Sequence, residues 1–439
     1  MSSLGFMLAL YNVFLMFLLP AIRLAAFFNP KLRRGLEGRK NLLRETKEHY
    51  LRVSAQPRIL IHVASFGELE QAKPVIRALK ERFRAAHIHL TFFSPSGYEN
   101  AIGKYSDVDF ITYAPLDRKK DVTDFLDLVK PSIALFVKYD LWPNMASALS
   151  QRNIPSLLFA ATASESSGRM LPVVRQLYTN VFRGLTRILT ISTDDKDRFI
   201  GIGVDPSKVI VAGDTRFDQV LARKDALDEL RESMLPAHMI EQIRAKGTLV
   251  LTIGSSWESD EEIYLPTLKS SVERKDNILT IIAPHEPAEE HVRTLLSQFP
   301  NRSIRYSMLP GWTGEPIVIV DSIGKLFGLY GLADIAMIGG GFGAGLHNIL
   351  EAAVWNLPAI VGPNHNKSRE VGQLIDRLAA FEVKDQKEFE FVFWRLVQSE
   401  DLRKSAGEHA VQFVIQNEGA TSKIMQEIVP FLHNALRKA

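Results

Sequence analysis

Short runs of branched apolar residues alternate with stretches of helical periodicity along nearly the whole chain, and this alternation restricts the fold more than any other feature. The runs lie at residues 58–63, 88–93, 109–113, 133–137, 156–160, 187–191 and 209–212, then at 248–253, 279–282, 317–320, 335–338 and 359–361. Strands separated by helices pair in parallel, because a parallel neighbour needs a crossover long enough to hold a helix. Between the two groups, "LARKDALDELRESMLPAHMIEQIRAKG" is charged and helical with no strand run, which places a seam near residues 217–247. A chain of 439 residues also exceeds what one core usually holds. The expectation is an α/β protein of two Rossmann-like parallel-sheet domains facing a central cleft, residues 31–220 and 221–439. Such a cleft is a common place for a small-molecule site.

Before the first strand the chain has a different character. Residues 4–22 are nineteen in a row without charge, roughly 28 Å as a helix and close to the thickness of a bilayer's hydrocarbon. Residues 31–48 then carry seven basic side chains against three acidic ones, so the chain's formal charge of +3 is concentrated beside the apolar run. Residues 1–30 read as a membrane anchor. Asn12 and Pro20 interrupt it, so a spanning helix and a helix lying in the interface both remain open. Positive charge after the run, with none in "MSS" before it, argues against a secretory signal and puts the domains on the cytoplasmic side. The rest of the chain is slightly acidic and lacks the electrostatic footprint of a nucleic-acid binder. With no cysteine, a disulfide framework, a thiolate nucleophile and a cysteine-ligated metal are excluded.

Several strand runs end in small or polar residues: "SFGE" after residue 63, "SPSG" after 93, "GSSWES" after 253 and "GGGFGAGLHNILE" after 338. In open α/β sheets these loops face the ligand. Glu68 falls in the first turn of the helix after the first strand. It is either a favourable charge at the positive end of a helix dipole or a general base. Gly339, Gly341 and Ala344 satisfy G-x-G-x-x-A, yet the next strand, "PAIVGPNHN", ends without the acidic residue a dinucleotide site needs. The glycine run supplies instead a backbone that can approach a phosphate at a helix amino end. That helix is expected to start at Asn348, with Glu351 completing a capping box and His347 four residues before Glu351 on the same face. Capping and ligand contact are both open readings of Asn348.

The ordered set "ASFGE", "SPSG", "PLD", "DLWPN", "GDTRFD", "GSSWESDEE", "APHE", "SIGKLFGLYGLADIAMIGGGFGAGLHNILEAA" and "LPAIVGPNHN" resembles the 3-deoxy-D-manno-octulosonic acid (Kdo) transferases of lipopolysaccharide synthesis. The resemblance runs from the anchor to about residue 385. It implies a GT-B glycosyltransferase without metal or other cofactor. Such an enzyme moves Kdo from CMP-Kdo to the lipid A precursor, lipid IVA, at the cytoplasmic face of the inner membrane. It implies Glu68 as the catalytic base. Donor binding falls to Gly254, Ser255, Ser256, Ile323, Gly324, Lys325, Gly340, His347, Asn348 and Glu351. Acceptor binding falls to Ser65, Gly67, Ser94, Gly97, Lys138, Asp140 and Arg169. Three features depart from the family pattern. Lys138 stands where a glutamate is usual two residues before Asp140, "Ala283-Pro284-His285-Glu286" lacks the usual arginine, and the glycine loop is short and without its arginine. Other readings are a different GT-B enzyme, such as a UDP-sugar transferase or epimerase, and a membrane-tethered adaptor without catalysis.

Overall fold

The computed structural model describes residues 3–54, 57–163, 172–366 and 368–438. It contains two compact units, residues 1–219 with 418–439, and residues 220–417. The first is built on seven parallel strands: β1 (Arg58–Val63), β2 (His87–Phe92), β3 (Phe110–Tyr113), β4 (Ile133–Val137), β5 (Ser156–Ala161), β6 (Arg187–Thr190) and β7 (Val209–Val211). Their spatial order is β3-β2-β1-β4-β5-β6-β7. The second has β8 (Leu249–Ser256), β9 (Ile278–Pro284), β10 (Ser303–Arg305), β11 (Ile317–Ile319), β12 (Ile335–Ile338), β13 (Ala359–Val361) and β14 (Ala380–Glu382), ordered β10-β11-β9-β8-β12-β13-β14.

Every expected strand run forms a strand, and both sheets are parallel throughout. Their central strands are apolar at successive positions because helices cover both faces. In β1, for example, Ile59, Ile61 and Val63 pack on one side while Leu60 packs on the other. Two edge strands, β10 and β14, were not expected. Each has three residues, mostly half-buried, and so carries little of the apolar signature of an inner strand.

The chain's end belongs to the first unit and not, as the sequence suggested, to the second. Helix Ala420–Lys438 places Ile424, Met425, Ile428 and Leu432 in the core formed by β1, β2 and β4. Its amino end is fastened by Asp218, whose carboxylate accepts from the Gly419 and Thr421 amides at 2.6 Å each.

At the other terminus, helix α1 (Ser3–Ala25) is followed by α2 (Pro30–Glu37) and α3 (Leu42–Tyr50). Residues Gly5–Ala25 are long and apolar enough to cross a membrane, with a mean hydropathy of 2.0. One face of α1 nevertheless touches the first unit at mid-helix. Tyr11 donates to Asp117 at 3.0 Å, Asn12 and Asn144 exchange side-chain hydrogen bonds, and Leu15 is buried. The outer face exposes Phe6, Leu10, Phe14, Phe17 and Leu24, a stripe at helical spacing.

Replacing Asp218 with alanine removes the cap of the last helix and is expected to cost about 1–2 kcal/mol. Denaturant unfolding of the full chain measures it. An unchanged midpoint would show that apolar packing alone holds the helix.

Candidate active site

In a doubly wound sheet, the loops that follow the two strands at the point of order reversal splay apart and leave a crevice. In the first sheet these strands are β1 and β4. After β1 the chain turns through Ala64 and Ser65 into helix α4 (Phe66–Arg82). Ser65 is the N-cap, and its Oγ accepts from the Glu68 amide at 3.4 Å. The Glu68 carboxylate reaches back so that Oε2 accepts from the Ala64 amide at 2.6 Å. This is a capping box with its second bond one residue upstream of the N-cap.

The carboxyl group is buried, at 5% exposure. Desolvation pushes its pKa above the ordinary glutamate value, and the charge of Asp140 adds to the rise. The Ala64 amide, His62 and Lys138 oppose it by favouring the ionised form. The capping and general-base readings therefore coexist: one oxygen caps, and Oε1 makes no hydrogen bond among the described residues.

Lys138 and Asp140 follow β4. Lys138 has a left-handed backbone (φ 64°), and its ammonium lies 5.9 Å over the Tyr139 ring. Asp140 is buried and meets His62 Nε2 at 3.0 Å. His62 Nδ1 contacts Thr91 Oγ1 at 3.0 Å, while that hydroxyl donates to the Ile61 carbonyl at 3.2 Å. The Thr91 oxygen can therefore only accept, so Nδ1 carries a proton and one further proton occupies the Nε2–Asp140 contact.

The remaining acceptor-side candidates gather nearby. Gly67 is exposed, and Ser94 bonds Ser96 at 2.9 Å. Gly97 is buried where a side chain would strike the Phe92 ring and crowd the Phe66 amide at 3.1 Å, so its lack of a Cβ lets helix Pro95–Ala101 approach the Glu68 turn. Arg169 lies outside the described residues.

In the second sheet the reversal lies between β8 and β12. The loop after β8 turns through Ser255, left-handed at φ 56°, into helix Glu258–Arg274. Gly254 is buried where any side chain would meet the Tyr330 hydroxyl. Ser256 is also buried; its hydroxyl donates to Glu261 and accepts from Tyr264, both at 3.3 Å, and is thus committed inward. After β12 the glycine run packs backbone to backbone. A Cβ on Gly339 would overlap the Ser255 carbonyl, and one on Gly341 would come within 2.6 Å of the Gly362 nitrogen.

Two expectations for this loop need correction. Most of its amides are not free for an anion. Those of Gly340 and Phe342 donate to Asp260, which also accepts from Trp257, at 2.7, 3.2 and 2.8 Å. The amides of Gly339, Gly343, Gly345 and His347 donate to carbonyls of the same two loops. The helix also starts at Leu350 and not at Asn348, and it spans only Leu350–Ala353. Asn348 Oδ1 accepts from the Leu350 amide at 3.3 Å. Glu351 binds Arg223 at 2.8 Å, and His347 stands before the helix and shares no face with Glu351.

His347 belongs to an aromatic stack. The His285 ring lies 4.4 Å from Trp257 and 4.5 Å from His347, whose rings are 6.5 Å apart, so the three meet in a triangle. Trp257 Nε1 donates to His347 Nε2 at 3.1 Å, so this nitrogen is unprotonated. Burial lowers the His347 pKa to about 4, and His285 adds to the effect. Ile323 is 86% exposed, Gly324 is left-handed at φ 87°, and Lys325 is half-buried. Trp257, Asp260 and Arg223 were not among the expected site residues. For Asp260 the signal was its spacing, three residues after the loop's last residue in "WESD". Among the described residues, no cluster of three or more His, Asp or Glu side chains is arranged to hold a metal ion.

Residues 37–219 match the family described as 3-deoxy-D-manno-octulosonic-acid transferase (kdotransferase). A 3-deoxy-D-manno-octulosonic acid transferase of Haemophilus influenzae is 26% identical over 385 residues, covering 85% of this chain and 87% of the relative. One from Rickettsia felis is 25% identical, with 86% and 80% covered. Among solved structures, a UDP-GlcNAc 2-epimerase from Neisseria meningitidis superposes with a TM-score of 0.61 at 15% identity, covering 85% of this chain and all of that one. The enzyme of the same name from Methanocaldococcus jannaschii gives 0.53 at 13% identity, covering 82% and 99%. Two doubly wound units, each with a crevice at its reversal point, define a GT-B protein. Within that class the sequence relatives are Kdo transferases, and residues 37–219 of this chain match that family.

Gly339→Ala should force the β8 and β12 loops apart, lowering stability by about 1–3 kcal/mol, as overpacking does. Thermal unfolding measures it, with Gly311→Ala, which has open space around its Cβ position and no positive φ, as the comparison.

Proposed function

We propose that the chain catalyses inverting transfer of Kdo from CMP-Kdo to the lipid A precursor, lipid IVA, in lipopolysaccharide synthesis, with Glu68 as general base. The observation that carries this reading is a buried carboxylate at the first unit's reversal point, held by one oxygen with the other unbonded. In the transfer, the acceptor hydroxyl loses its proton to Glu68 as its oxygen bonds to C2 of Kdo. The bond from C2 to the CMP phosphate breaks, and CMP leaves with that electron pair. Attack opposite the leaving group inverts the configuration. A phosphate monoester leaves without a general acid, so the residues around it need only stabilise its charge.

Burial raises the basicity of Glu68, while the Ala64 amide, His62 and Lys138 favour its ionised form. A base must bind the proton yet be unprotonated at the start, and these opposed effects serve both needs. Ser65, Gly67, Ser94, Gly97, Asp140 and Arg169 are proposed to line the acceptor, with Asp140 and His62 fixing the floor beneath Glu68. On the donor side, Gly254, Ser255, Ile323, Gly324, Gly340, His347, Asn348 and Glu351 are proposed to surround CMP-Kdo. With most glycine-loop amides committed, Lys325 is the proposed charge partner of its phosphate. Ser256 contributes through its backbone.

Membrane association is proposed through α1 at the cytoplasmic face of the inner membrane. The bonds of Tyr11 and Asn12 to Asp117 and Asn144 support a helix lying in the interface, because a spanning helix would carry those polar partners into hydrocarbon.

Glu68→Gln should lose at least about a hundredfold in kcat, the usual contribution of a general base, with CMP binding retained. A variant active with CMP-Kdo and lipid IVA would remove Glu68 from the chemistry. The rate should rise with pH through the raised pKa of Glu68 and level off above it. Lys138→Met withdraws a charge that favours the carboxylate, so the acid limb of the kcat/KM profile should move to higher pH. A limb that stays in place would separate Lys138 from the base.

A further inference from the structure

A cavity of about 720 Å³ opens where α1 ends, between α1, α2, α3 and the chain after β3. It falls in the size range of small-molecule sites, about 300–1,000 Å³. Six basic and two acidic side chains line it. Arg118 is neutralised by a bidentate bond to Asp121 at 2.7 Å. Arg39 donates to the carbonyls of Ala114, Gly35 and Phe93 at 2.9, 2.7 and 2.8 Å, and has no carboxylate partner. Arg23, Arg33, Lys40 and Arg44 make no ion pair among the described residues, and Glu37 is the remaining acid. Cations gathered without counter-charge repel one another, and an anion seated among them relieves that repulsion.

The rim identifies the kind of anion. Phe27 lines the cavity and is 77% exposed, Phe28 beside it is 87% exposed, and both continue the apolar stripe on the outer face of α1. A soluble anion would match the basic floor and leave the apolar rim in water. A membrane lipid matches both, with its phosphate among the arginines and its acyl chains along the stripe. We propose that this cavity binds the phosphate headgroup of an anionic membrane lipid, at a site built from residues other than those around Glu68. The proposal rests on the membrane association inferred above, though not on the transfer reaction.

Full-length protein in nanodiscs of phosphatidylcholine with a tenth phosphatidylglycerol is released in a native mass spectrometer and its retained lipid counted. Phosphatidylglycerol should be retained in preference, one per chain. A surface basic residue is worth about fivefold in attraction to an anionic leaflet, so reversing two in the cavity, Arg33→Glu with Arg44→Glu, should cut retention at least tenfold. Arg33→Lys with Arg44→Lys should keep it. The charge-matched pair Lys31→Glu with Lys47→Glu, exposed positions outside the lining, should leave it unchanged. Equal losses from both reversed pairs would reduce the effect to diffuse attraction and overturn the site. Titrating the lipid-free protein in detergent with inorganic phosphate gives the other arm: binding of similar strength would overturn the lipid assignment. A chain that fails to enter the discs refutes the membrane reading; one that enters and retains lipid regardless of Arg33 and Arg44 refutes this proposal alone.

Discussion

A strand covered on both faces by helices has room for a polar side chain only where a neighbouring group satisfies it, as His89 is satisfied by Thr112. This constraint organises both units. The fourteen strands are largely apolar along their length, and the groups able to do chemistry are pushed into the loops beyond them. Parallel pairing puts those loops on one edge of each sheet, and the reversal of strand order selects which two diverge. Glu68 with Asp140, and Ser255 with His347, sit where they do for the same topological reason.

Besides Glu68, two carboxylates hold loops together beyond the strand ends. Asp260 gathers three amides from two loops and fixes the path of the glycine run. Asp117 gathers the amides of Asn144 and Met145 together with the Tyr11 hydroxyl, joining the "PLD" loop, the "LWPN" turn and α1. Burial raises its pKa to about 7, its three donors acting in opposition. Glu68 differs from both by leaving one oxygen uncommitted. A carboxylate bonded through both oxygens is a fastening, whereas one bonded through a single oxygen can still take a proton.

Much of this was legible in the sequence, for identifiable reasons. Inner strands announce themselves because two-sided burial leaves a continuous apolar run, and the position of Glu68 in the first turn after β1 can be read from where that run stops. Strands β10 and β14 could not be read, since a half-buried edge of three residues has no distinctive pattern. The glycine loop misled because its composition speaks of backbone freedom. What used that freedom was Asp260, some eighty residues earlier, and no local pattern encodes such a partner. The last helix misled in the same way: its amphipathic pattern is plain, but which core receives it depends on Asp218, two hundred positions away. Lys138 was visible as a departure, and the sign of its effect on Glu68 emerged only from their proximity.

The attachment of Ala420–Lys438 to the first unit makes that unit discontinuous, with the whole of residues 220–417 inserted between its two parts. A ribosome therefore releases the first sheet long before the helix that completes its core. Until residues 420–438 emerge, the core that holds Ile59, Ile61 and Leu69 lacks Ile424 and Ile428. Residues 220–417 come between the two parts, so the first unit's core is completed only after the whole of the second has been made.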